Sequence, residues 1–343
     1  MKLAVTGTGK IVQEVLPVLK QLPLEKCTIC GRSSSREKTE RLQKQYHLDE
    51  AYTDFDDVLA SDADTVYIAL PNTLHCAWAV KALQAGKHVI VEKPAAVNRR
   101  QLEEMTAAAE ASGRMLFEAM NIHDLPAYRS MRDQLKDIGR IRIVSLNYSQ
   151  YSSRYDAFKE GVIAPAFDPA CAGGALMDLN VYNIHFALGM FGMPEDVRYY
   201  PNMDRGIDTS GILIMTYPDF QVSAVGAKDC AAPMLSVIQG DAGSLMTSES
   251  VNFMESFRKE SLHGTSQTFE YREEKSRLFY EFKTFIHAVD TGDRELMQQR
   301  LQLSRMAADV LDTARRVAGI IFPCELETES NIISEGKPLL SVR

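Results

Sequence analysis

The chain has 343 residues, of which 45% are hydrophobic and 24% charged, a composition typical of a globular protein large enough for two domains. Its formal net charge is -8 without long runs of one sign, which argues against nucleic acid and anionic membranes as partners. No apolar run is long enough to span a bilayer, and the first strand leads directly into a glycine turn, so we expect a cytoplasmic protein.

A short N-terminal strand is followed by the turn Gly7-Thr8-Gly9-Lys10, and an apolar-periodic helix begins at Ile11. Gly7 permits a tight turn, and Gly9 lets the backbone approach a pyrophosphate, whose charge the N–H groups of the helix start can bind. Any tight strand-to-helix turn could carry these glycines. The position between a first strand and its helix nevertheless favours a dinucleotide site at residues 7–11.

The second predicted strand, residues 26–30, is followed by Arg32, Ser33 and Arg36 and by no acidic residue. An NAD-binding unit places Asp or Glu at this tip, where it binds the ribose 2′-hydroxyl. Arginine and serine donors instead match a 2′-phosphate. We therefore predict NADP as the cofactor, with NAD possible. In the alternative interpretation, the serine caps the next helix and both arginines are solvated.

Two later strand tips carry unusual sequences, Leu70-Pro71-Asn72 and Glu92-Lys93-Pro94. Proline cannot donate to a strand ladder, so Glu92 and Lys93 must lie at the carboxyl end of a buried β-branched strand. Open α/β sheets bind ligands at this edge. Partial desolvation lowers the pKa of a lysine, which makes Lys93 a candidate acid/base. For Lys93 taken alone, a solvated residue at a strand end is the favoured interpretation, and the neighbouring motifs carry the catalytic one.

Strands alternate with helices through residue 119, which predicts an α/β fold with a parallel, doubly wound sheet in a first domain, residues 1–120. Thr73 is predicted to cap one of its helices. Asn98, with Gln101 three residues on, is predicted to cap another, which ends at Gly113.

Residues 121–343 predict a second, α+β domain with a large open sheet. A strand over residues 141–151 precedes a helix entered through Gly173 and Gly174. Alternating patterns predict consecutive antiparallel strands at residues 211–217, 221–227 and 235–238, and two amphipathic helices at 276–290 and 295–318. We expect a second subunit to cover the open face of the sheet, in a homodimer or a dimer of dimers.

Six cysteines are scattered along the chain, and only Cys27 and Cys30 are close to each other. On a strand this spacing directs the two side chains to opposite faces. Without a second pair the cysteines do not form a zinc site, so we predict buried free thiols and no metal.

Short motifs over nearly the whole length resemble those of the glucose-fructose oxidoreductase, inositol dehydrogenase and MocA family. They are Gly7-Thr8-Gly9, Leu70-Pro71-Asn72 with His75, Glu92-Lys93-Pro94, Glu118-Ala119, Gly173-Gly174-Ala175-Leu176-Met177-Asp178-Leu179-Asn180-Val181-Tyr182, and Asp208-Thr209-Ser210-Gly211.

The resemblance implies an N-terminal Rossmann domain and a C-terminal sheet used for dimers. It also implies reversible hydride transfer between NAD(P) and sugars, polyols, dihydrodiols or related small carbonyls and alcohols. Within this family Lys93 would be catalytic, and the Lys93-Pro94 bond is often cis. His75 and Glu92 would lie with the strand tips at the cofactor.

Tyr182 stands where many relatives have histidine, a feature that resembles the glucose-fructose oxidoreductase and dimeric dihydrodiol dehydrogenase branch. The helical spacing of Asp178, Tyr182 and His185 predicts that all three face one cleft. A phenol beside a cationic lysine has its pKa lowered, which suits a proton donor. The alternative is a core aromatic residue. Asn180 replaces the usual glycine of this motif.

Asp178 is expected to hold Lys93 or a substrate hydroxyl, and His185 to orient the substrate or to pack. The aromatic stretch around Tyr151, Tyr155 and Phe158 is expected to contact the small-molecule substrate. The sequence therefore predicts an NADP(H)-dependent oxidoreductase. A dinucleotide-binding regulator of the same fold, which senses redox state without turnover, is the alternative.

Overall fold

The computed structural model describes residues 1–272 and 275–326. Its first layer is a six-stranded parallel sheet with the order β3-β2-β1-β4-β5-β6. The strands are β1 (Lys2–Thr6), β2 (Lys26–Cys30), β3 (Glu50–Tyr52), β4 (Thr65–Ile68), β5 (His88–Glu92) and β6 (Leu116–Ala119). Helices α1 (Lys10–Leu19), α2 (Arg36–Tyr46), α3 (Phe55–Ala60), α4 (His75–Gln84) and α5 (Arg99–Ser112) connect them.

Apart from the edge strand β3, the strands of this sheet are buried on both faces, as in other parallel sheets covered by helices. Val89, Ile90 and Val91 of β5, for example, are completely inaccessible to solvent. The strand order reverses between β1 and β4, and ligands of open α/β sheets bind at such a switch point. The predicted doubly wound sheet is confirmed.

Helix starts follow the predictions only in part. The Asn98 side chain accepts a hydrogen bond from the backbone N–H of Gln101 at 3.0 Å, which confirms the predicted cap of α5. The prediction that Thr73 caps α4 is wrong. A 3-10 turn (Asn72–Leu74) comes first, and its last N–H donates to the Pro71 carbonyl at 2.9 Å, so α4 begins without a side-chain cap.

The second layer is an eight-stranded sheet with the order β14-β13-β12-β11-β7-β10-β9-β8. Its strands are β7 (Ile141–Ser149), β8 (Asp196–Asp204), β9 (Ile207–Thr216), β10 (Gln221–Ala227), β11 (Ser236–Gly240), β12 (Gly243–Thr247), β13 (Ser256–Ser261) and β14 (Ser266–Glu270). The remaining helices are α6 (Pro126–Asp133), α7 (Tyr155–Lys159), α8 (Val181–Phe191), α9 (Arg277–Thr291) and α10 (Arg294–Val317).

The large sheet is mostly antiparallel, as predicted, but its strands do not all pair in chain order. β7 lies between β10 and β11, and it pairs parallel with β10. The prediction of consecutive antiparallel strands is therefore wrong at this point. β7 thus pairs with β10 on one side and with β11 on the other, and it separates two strands that follow one another in sequence.

Helix α9 returns to the first domain, and α10 packs on both domains. Leu278, Phe282 and Phe285 of α9 belong to the hydrophobic core of the six-stranded sheet, whereas Val310 and Leu311 of α10 belong to the core of the second sheet. The predicted boundary at residue 120 therefore does not separate the two hydrophobic cores completely, because α9 follows this residue and packs in the first core. Residues 327–343 of the predicted second domain lie outside the described residues. Every helix within residues 1–272 and 275–326 lacks the length or the apolar character needed to cross a membrane.

Candidate active site

An open cleft of about 1250 Å³ runs along the carboxyl edge of the six-stranded sheet, with the second domain on its other side. Many residues predicted for the site line it: Gly9, Lys10, Ile11, Leu70, Pro71, Asn72, Glu92, Lys93, Asp178 and Tyr182. Motifs that are far apart in the sequence thus meet at one edge.

The glycine turn after β1 leaves the start of α1 accessible. Gly7 has a φ of +101°, and a Cβ at this position would lie 2.3 Å from the Ala69 carbonyl oxygen, so only glycine fits. A Cβ at Gly9, beyond Thr8, would meet nothing within 4 Å. Helix α1 has no side-chain cap and no acidic residue in its first turn. Its N–H groups and its dipole therefore suit a phosphate.

The tip of β2 presents basic side chains to solvent. Arg36 donates from Nη2 to the Thr53 hydroxyl at 2.9 Å, and the Ser33 hydroxyl donates to the Thr53 carbonyl at 3.4 Å. Among the described residues, the Arg32 side chain has neither a hydrogen bond nor an ion pair. This tip can therefore offer guanidinium groups to an anion.

Two polar residues after β4 join neighbouring segments. The Asn72 amide donates across the cleft to the Ala172 carbonyl at 2.9 Å. His75 is fully buried, and its ring nitrogens lie 2.9 Å from the Leu70 carbonyl oxygen and 3.0 Å from that of Pro94. The expectation that His75 binds the cofactor is corrected here. Both its nitrogens face backbone carbonyls, so it positions the two strand tips.

Lys93, Asp178 and Tyr182 form the centre of the cleft. Lys93 donates from Nζ to Asp178 Oδ1 at 3.0 Å and to the Asp178 carbonyl at 2.7 Å. The same Nζ lies 4.7 Å from the centre of the Tyr182 ring, a cation–π distance. The Lys93-Pro94 bond is cis, in agreement with the resemblance.

The pKa shifts of Lys93 and Tyr182 are opposite in direction to those expected from the sequence. Burial alone would lower the pKa of Lys93, but its interactions with Tyr182 and with the Asp178 carboxylate raise it above its ordinary value, so this lysine is a cation. Burial raises the pKa of Tyr182 to about 12, although Lys93 acts to lower it. The predicted lowering of both pKa values is therefore wrong, because desolvation dominates at the phenol and ion pairing at the amine.

Glu92 holds the tip of β5 through hydrogen bonds of its buried carboxylate. It is 9% exposed, its Oε1 accepts a hydrogen bond from the Tyr67 hydroxyl, and its Oε2 accepts one from the Lys93 N–H at 3.3 Å. Burial raises the pKa of this carboxyl. Glu92 thus holds the backbone of Lys93 as well as lining the cleft.

His185 does not face the cleft, so the predicted convergence of three residues is wrong for this one. Its ring is 1% exposed and lies 3.2 Å from His123 Nε2 and 3.4 Å from Glu118 Oε2, in a separate buried cluster. A π-helical turn (Leu176–Asn180) precedes α8. Such a turn contains more residues than an α-helical one, so the spacing from Asp178 to His185 no longer marks one face.

Asn180, which stands where this motif usually has glycine, lies against a glycine of the facing strand. It is fully buried and donates to the Ala224 carbonyl at 3.1 Å. A Cβ at Gly226 of β10 would lie 2.9 Å from the Asn180 Cβ. The close approach is thus provided by Gly226.

The aromatic stretch forms a packed cluster beside the cleft. Phe158 is 1% exposed, and the Tyr151 hydroxyl donates to Asp156 at 2.7 Å. The Tyr155 and Phe158 rings lie 6.0 Å apart. None of these three residues lines the cleft, so their contact with substrate stays a prediction. The same loop contributes Arg154, Pro165, Ala166, Cys171 and Gly173.

Sequence reasoning also missed Arg277, which lines the cleft and pairs with Glu14 at 3.1 Å. No local motif marks either residue. In the part of the chain that the structure describes, no group of three or more His, Cys, Asp or Glu residues could hold a metal ion. Cys27 and Cys30 are free thiols there, and burial raises the pKa of each to about 12.

Two family models match the chain: "Oxidoreductase family, NAD-binding Rossmann fold" over residues 1–120, and "GFO/IDH/MocA C-terminal domain" over residues 128–246. Scyllo-inositol 2-dehydrogenase (NADP(+)) IolU of Bacillus subtilis is 32% identical over 327 residues, which cover 95% of this chain and 99% of the relative. Trans-1,2-dihydrobenzene-1,2-diol dehydrogenase of Sus scrofa is 25% identical and covers 94% of this chain and 98% of the relative.

Among solved structures, KijD10, a 3-ketoreductase from Actinomadura kijaniata in complex with NADP, shares the fold with a TM-score of 0.78. It is 24% identical, and the match covers 92% of this chain and 97% of that chain. The family models and the curated relatives lead to one conclusion: the chain belongs to the GFO/IDH/MocA family of oxidoreductases.

Proposed function

We propose that the protein is an NADP(H)-dependent oxidoreductase that transfers hydride between nicotinamide and a sugar, polyol, dihydrodiol or related small alcohol or carbonyl. One observation carries the proposal. A cationic lysine, Lys93, lies 4.7 Å from the centre of the Tyr182 ring and 3.0 Å from Asp178, in a cleft at the switch point of a dinucleotide-binding sheet. In this role Lys93 and Tyr182 are the acid/base pair.

The residues of the first domain suit NADP. The space beside Gly9 and the uncapped start of α1 fit a pyrophosphate, and Arg32 has no partner among the described residues. IolU is named as NADP(+)-dependent, and KijD10 was solved with NADP. When bound, NADPH supplies the hydride. Gly7 to Ile11 would hold its pyrophosphate, and Arg32, Ser33 and Arg36 its 2′-phosphate.

Tyr182 acts on the substrate oxygen in this proposal. With a pKa of about 12 its phenol is protonated at neutral pH, so it can donate a proton to a carbonyl oxygen during reduction. The Lys93 cation stabilises the phenolate that develops. Asp178 keeps Lys93 charged and directed at the ring. In the oxidation of an alcohol the phenolate accepts the proton instead.

The pH dependence should therefore differ between the two directions. Carbonyl reduction needs protonated Tyr182, which is present below its pKa of about 12, so its rate is expected to stay level through neutral pH and to fall only in strong alkali. Alcohol oxidation needs the phenolate, so its rate is expected to rise with pH. Steady-state rates from pH 6 to pH 10 in both directions test this, and a reduction rate that falls between pH 6 and pH 8 would contradict it.

The cofactor preference should depend on the tip of β2. Replacing both Arg32 and Arg36 by alanine is expected to raise the KM for NADP by about 10- to 100-fold, because a charge-assisted hydrogen bond contributes about 1.5 to 3 kcal/mol. The KM for NAD should stay unchanged. Arg41→Ala, on the exposed surface of α2, is the matched control. A wild-type protein with a lower KM for NADH than for NADPH would count against the assignment.

The substrate class is tested by following NADPH absorbance with a panel of inositols, trans-dihydrodiols, aldoses and ketones. We expect turnover with at least one class of polyol or sugar. The alternative is a regulator that binds NADPH but turns over nothing. Tight NADPH binding together with no turnover on the whole panel would favour that alternative.

A homodimer through the second sheet also belongs to the proposal. Ile143, Tyr200 and Ile212 lie on one face of this sheet and are 50%, 62% and 45% exposed, whereas Val144, Leu213 and Val222 on the other face are fully buried. Exposed apolar residues grouped on a sheet face are typical of an interface. Light scattering on the purified protein measures its molar mass in solution, for which we expect the value of a dimer.

A further inference from the structure

A second lysine lies behind the proposed catalytic centre. Lys228 follows β10 directly and is only 2% exposed. Its Nζ donates to Asp178 Oδ2 at 2.8 Å and to the Ala166 carbonyl, and it lies 4.3 Å from the centre of the Phe167 ring. Buried ion pairs add little stability compared with apolar side chains of similar volume. A contribution to stability therefore does not explain why a lysine is buried here, and we infer its role from the groups that it contacts.

Asp178 is held by two lysines, one on each carboxylate oxygen. Oδ1 accepts from Lys93 at 3.0 Å and Oδ2 accepts from Lys228 at 2.8 Å. Lys93 alone would leave the carboxylate free to rotate about its last side-chain bond. With the second oxygen held by Lys228, the position of Oδ1 is defined, and with it the direction from which Lys93 approaches Tyr182.

Lys228 also joins the wall of the cleft to this centre. Its second acceptor, Ala166, belongs to the turn Pro165–Phe167, and Pro165 and Ala166 both line the cleft. One ammonium group thus contacts both the loop that faces the substrate position and the carboxylate that holds Lys93.

We propose that Lys228 is a positioning residue that fixes Asp178, and through it Lys93, and that ties the loop at Ala166 to the catalytic centre. This inference rests on the proposed function of the cleft. Lys228 itself does not line the cleft, so it acts through Asp178 and is not expected to touch substrate or cofactor.

The inference predicts a change in pH dependence. Burial alone would raise the pKa of Asp178, but Lys93 and Lys228 together hold it well below its ordinary value. Of the other titratable groups, Glu92 and Tyr182 face Lys93, and Asp208 faces Lys228. Because an adjacent opposite charge lowers a carboxyl pKa by about 1 to 3 units, removing Lys228 should raise that of Asp178 by a similar amount. The acid limb of kcat/KM, which follows the protonation of Asp178, should then move to higher pH.

The experiment compares Lys228→Met and Lys228→Gln with Lys87→Met. Lys87 is also buried and donates to the Ser61 and Ala63 carbonyls at 2.8 and 2.7 Å, but it precedes β5, at the edge of the sheet opposite the cleft. Glutamine keeps a hydrogen-bond donor and removes the charge, so it gives a second variant if methionine impairs folding. Both Lys228 variants are expected to lose about 10- to 100-fold in kcat, with an upward shift of the acid limb and unchanged NADPH binding. Lys87→Met should lose only stability.

A crystal structure of the Lys228→Gln variant provides a readout that does not depend on turnover. The Asp178 carboxylate is expected to rotate, and the contact of 3.0 Å with Lys93 to be lost. The inference is overturned if both variants keep the kcat and the acid limb of the wild-type protein. It is also overturned if they lose stability while the pH profile stays unchanged, or if Asp178 keeps its position in the crystal structure. Absence of turnover in the wild-type protein would instead refute the proposed function, and the crystal structure would still test Lys228.

Discussion

Replacing Lys93 by methionine is expected to lower kcat by about 10²- to 10⁴-fold, the usual range for loss of a positioned acid/base group. Methionine retains an apolar stem that can pack on the Tyr182 ring, so the cleft should keep its shape. The variant lacks the cation that stabilises the Tyr182 phenolate. Steady-state rates give kcat, and quenching of NADPH fluorescence on titration measures cofactor binding, which should stay nearly unchanged.

Lys20→Met is a matched control for this variant. The Lys20 ammonium also lies over a tyrosine ring, 5.6 Å from the centre of Tyr46, but on the exposed surface of the first domain. Its replacement should leave kcat unchanged. Near-normal turnover in Lys93→Met would exclude Lys93 from catalysis.

Replacing Tyr182 by phenylalanine should have an effect of similar size. The ring stays, so the packing against Lys93 and the neighbouring Tyr148, whose ring centre lies 5.8 Å away, is preserved. Only the hydroxyl is lost, and with it the proton donor. We expect kcat to fall by about 10²- to 10⁴-fold with little change in KM for NADPH.

Tyr217→Phe is the control for loss of a buried hydroxyl. Tyr217 is 3% exposed and donates to the Gly192 carbonyl at 2.9 Å, outside the cleft. This variant should lose about 1 kcal/mol of unfolding free energy and no activity. If Tyr182→Phe behaved in the same way, Tyr182 would be a core aromatic residue, which was the alternative interpretation of the sequence.

Much of the first domain could be predicted because its strands are short, apolar and separated by helices with clear periodicity. The exceptions are the two short elements between α2 and β4. Strand β3 has only the residues Glu50–Tyr52, which are largely accessible and show no apolar pattern, and helix α3 has only six residues. Pairing in the second sheet could not be predicted, because β7 reaches its place between β10 and β11 through contacts distant in sequence.

Site residues at strand tips could be predicted because parallel strands bring their carboxyl ends to one edge. This applies to Gly9, Asn72 and Lys93, which line one cleft. Lys228 and Arg277 could not be predicted, since they reach the centre from distant elements without a local motif.

Features that depend on local geometry or burial could not be predicted either. The π-helical turn that changes the angular spacing between Asp178 and His185 leaves no mark in the sequence. The signs of the pKa shifts at Lys93 and Tyr182 depend on a balance of burial and charge that only the folded chain defines.

The central claim is that Lys93 and Tyr182 flank a bound nicotinamide, and a crystal structure of the protein with NADP tests it most directly. We predict that the nicotinamide ring lies against the tips of β4 and β5. Its C4 atom should lie about 3 to 3.5 Å from the place where the substrate carbon can bind, and the Tyr182 hydroxyl should lie at a similar distance from the place of the substrate oxygen. A nicotinamide bound away from Lys93 and Tyr182, or a Tyr182 hydroxyl directed out of the cleft, would contradict the account.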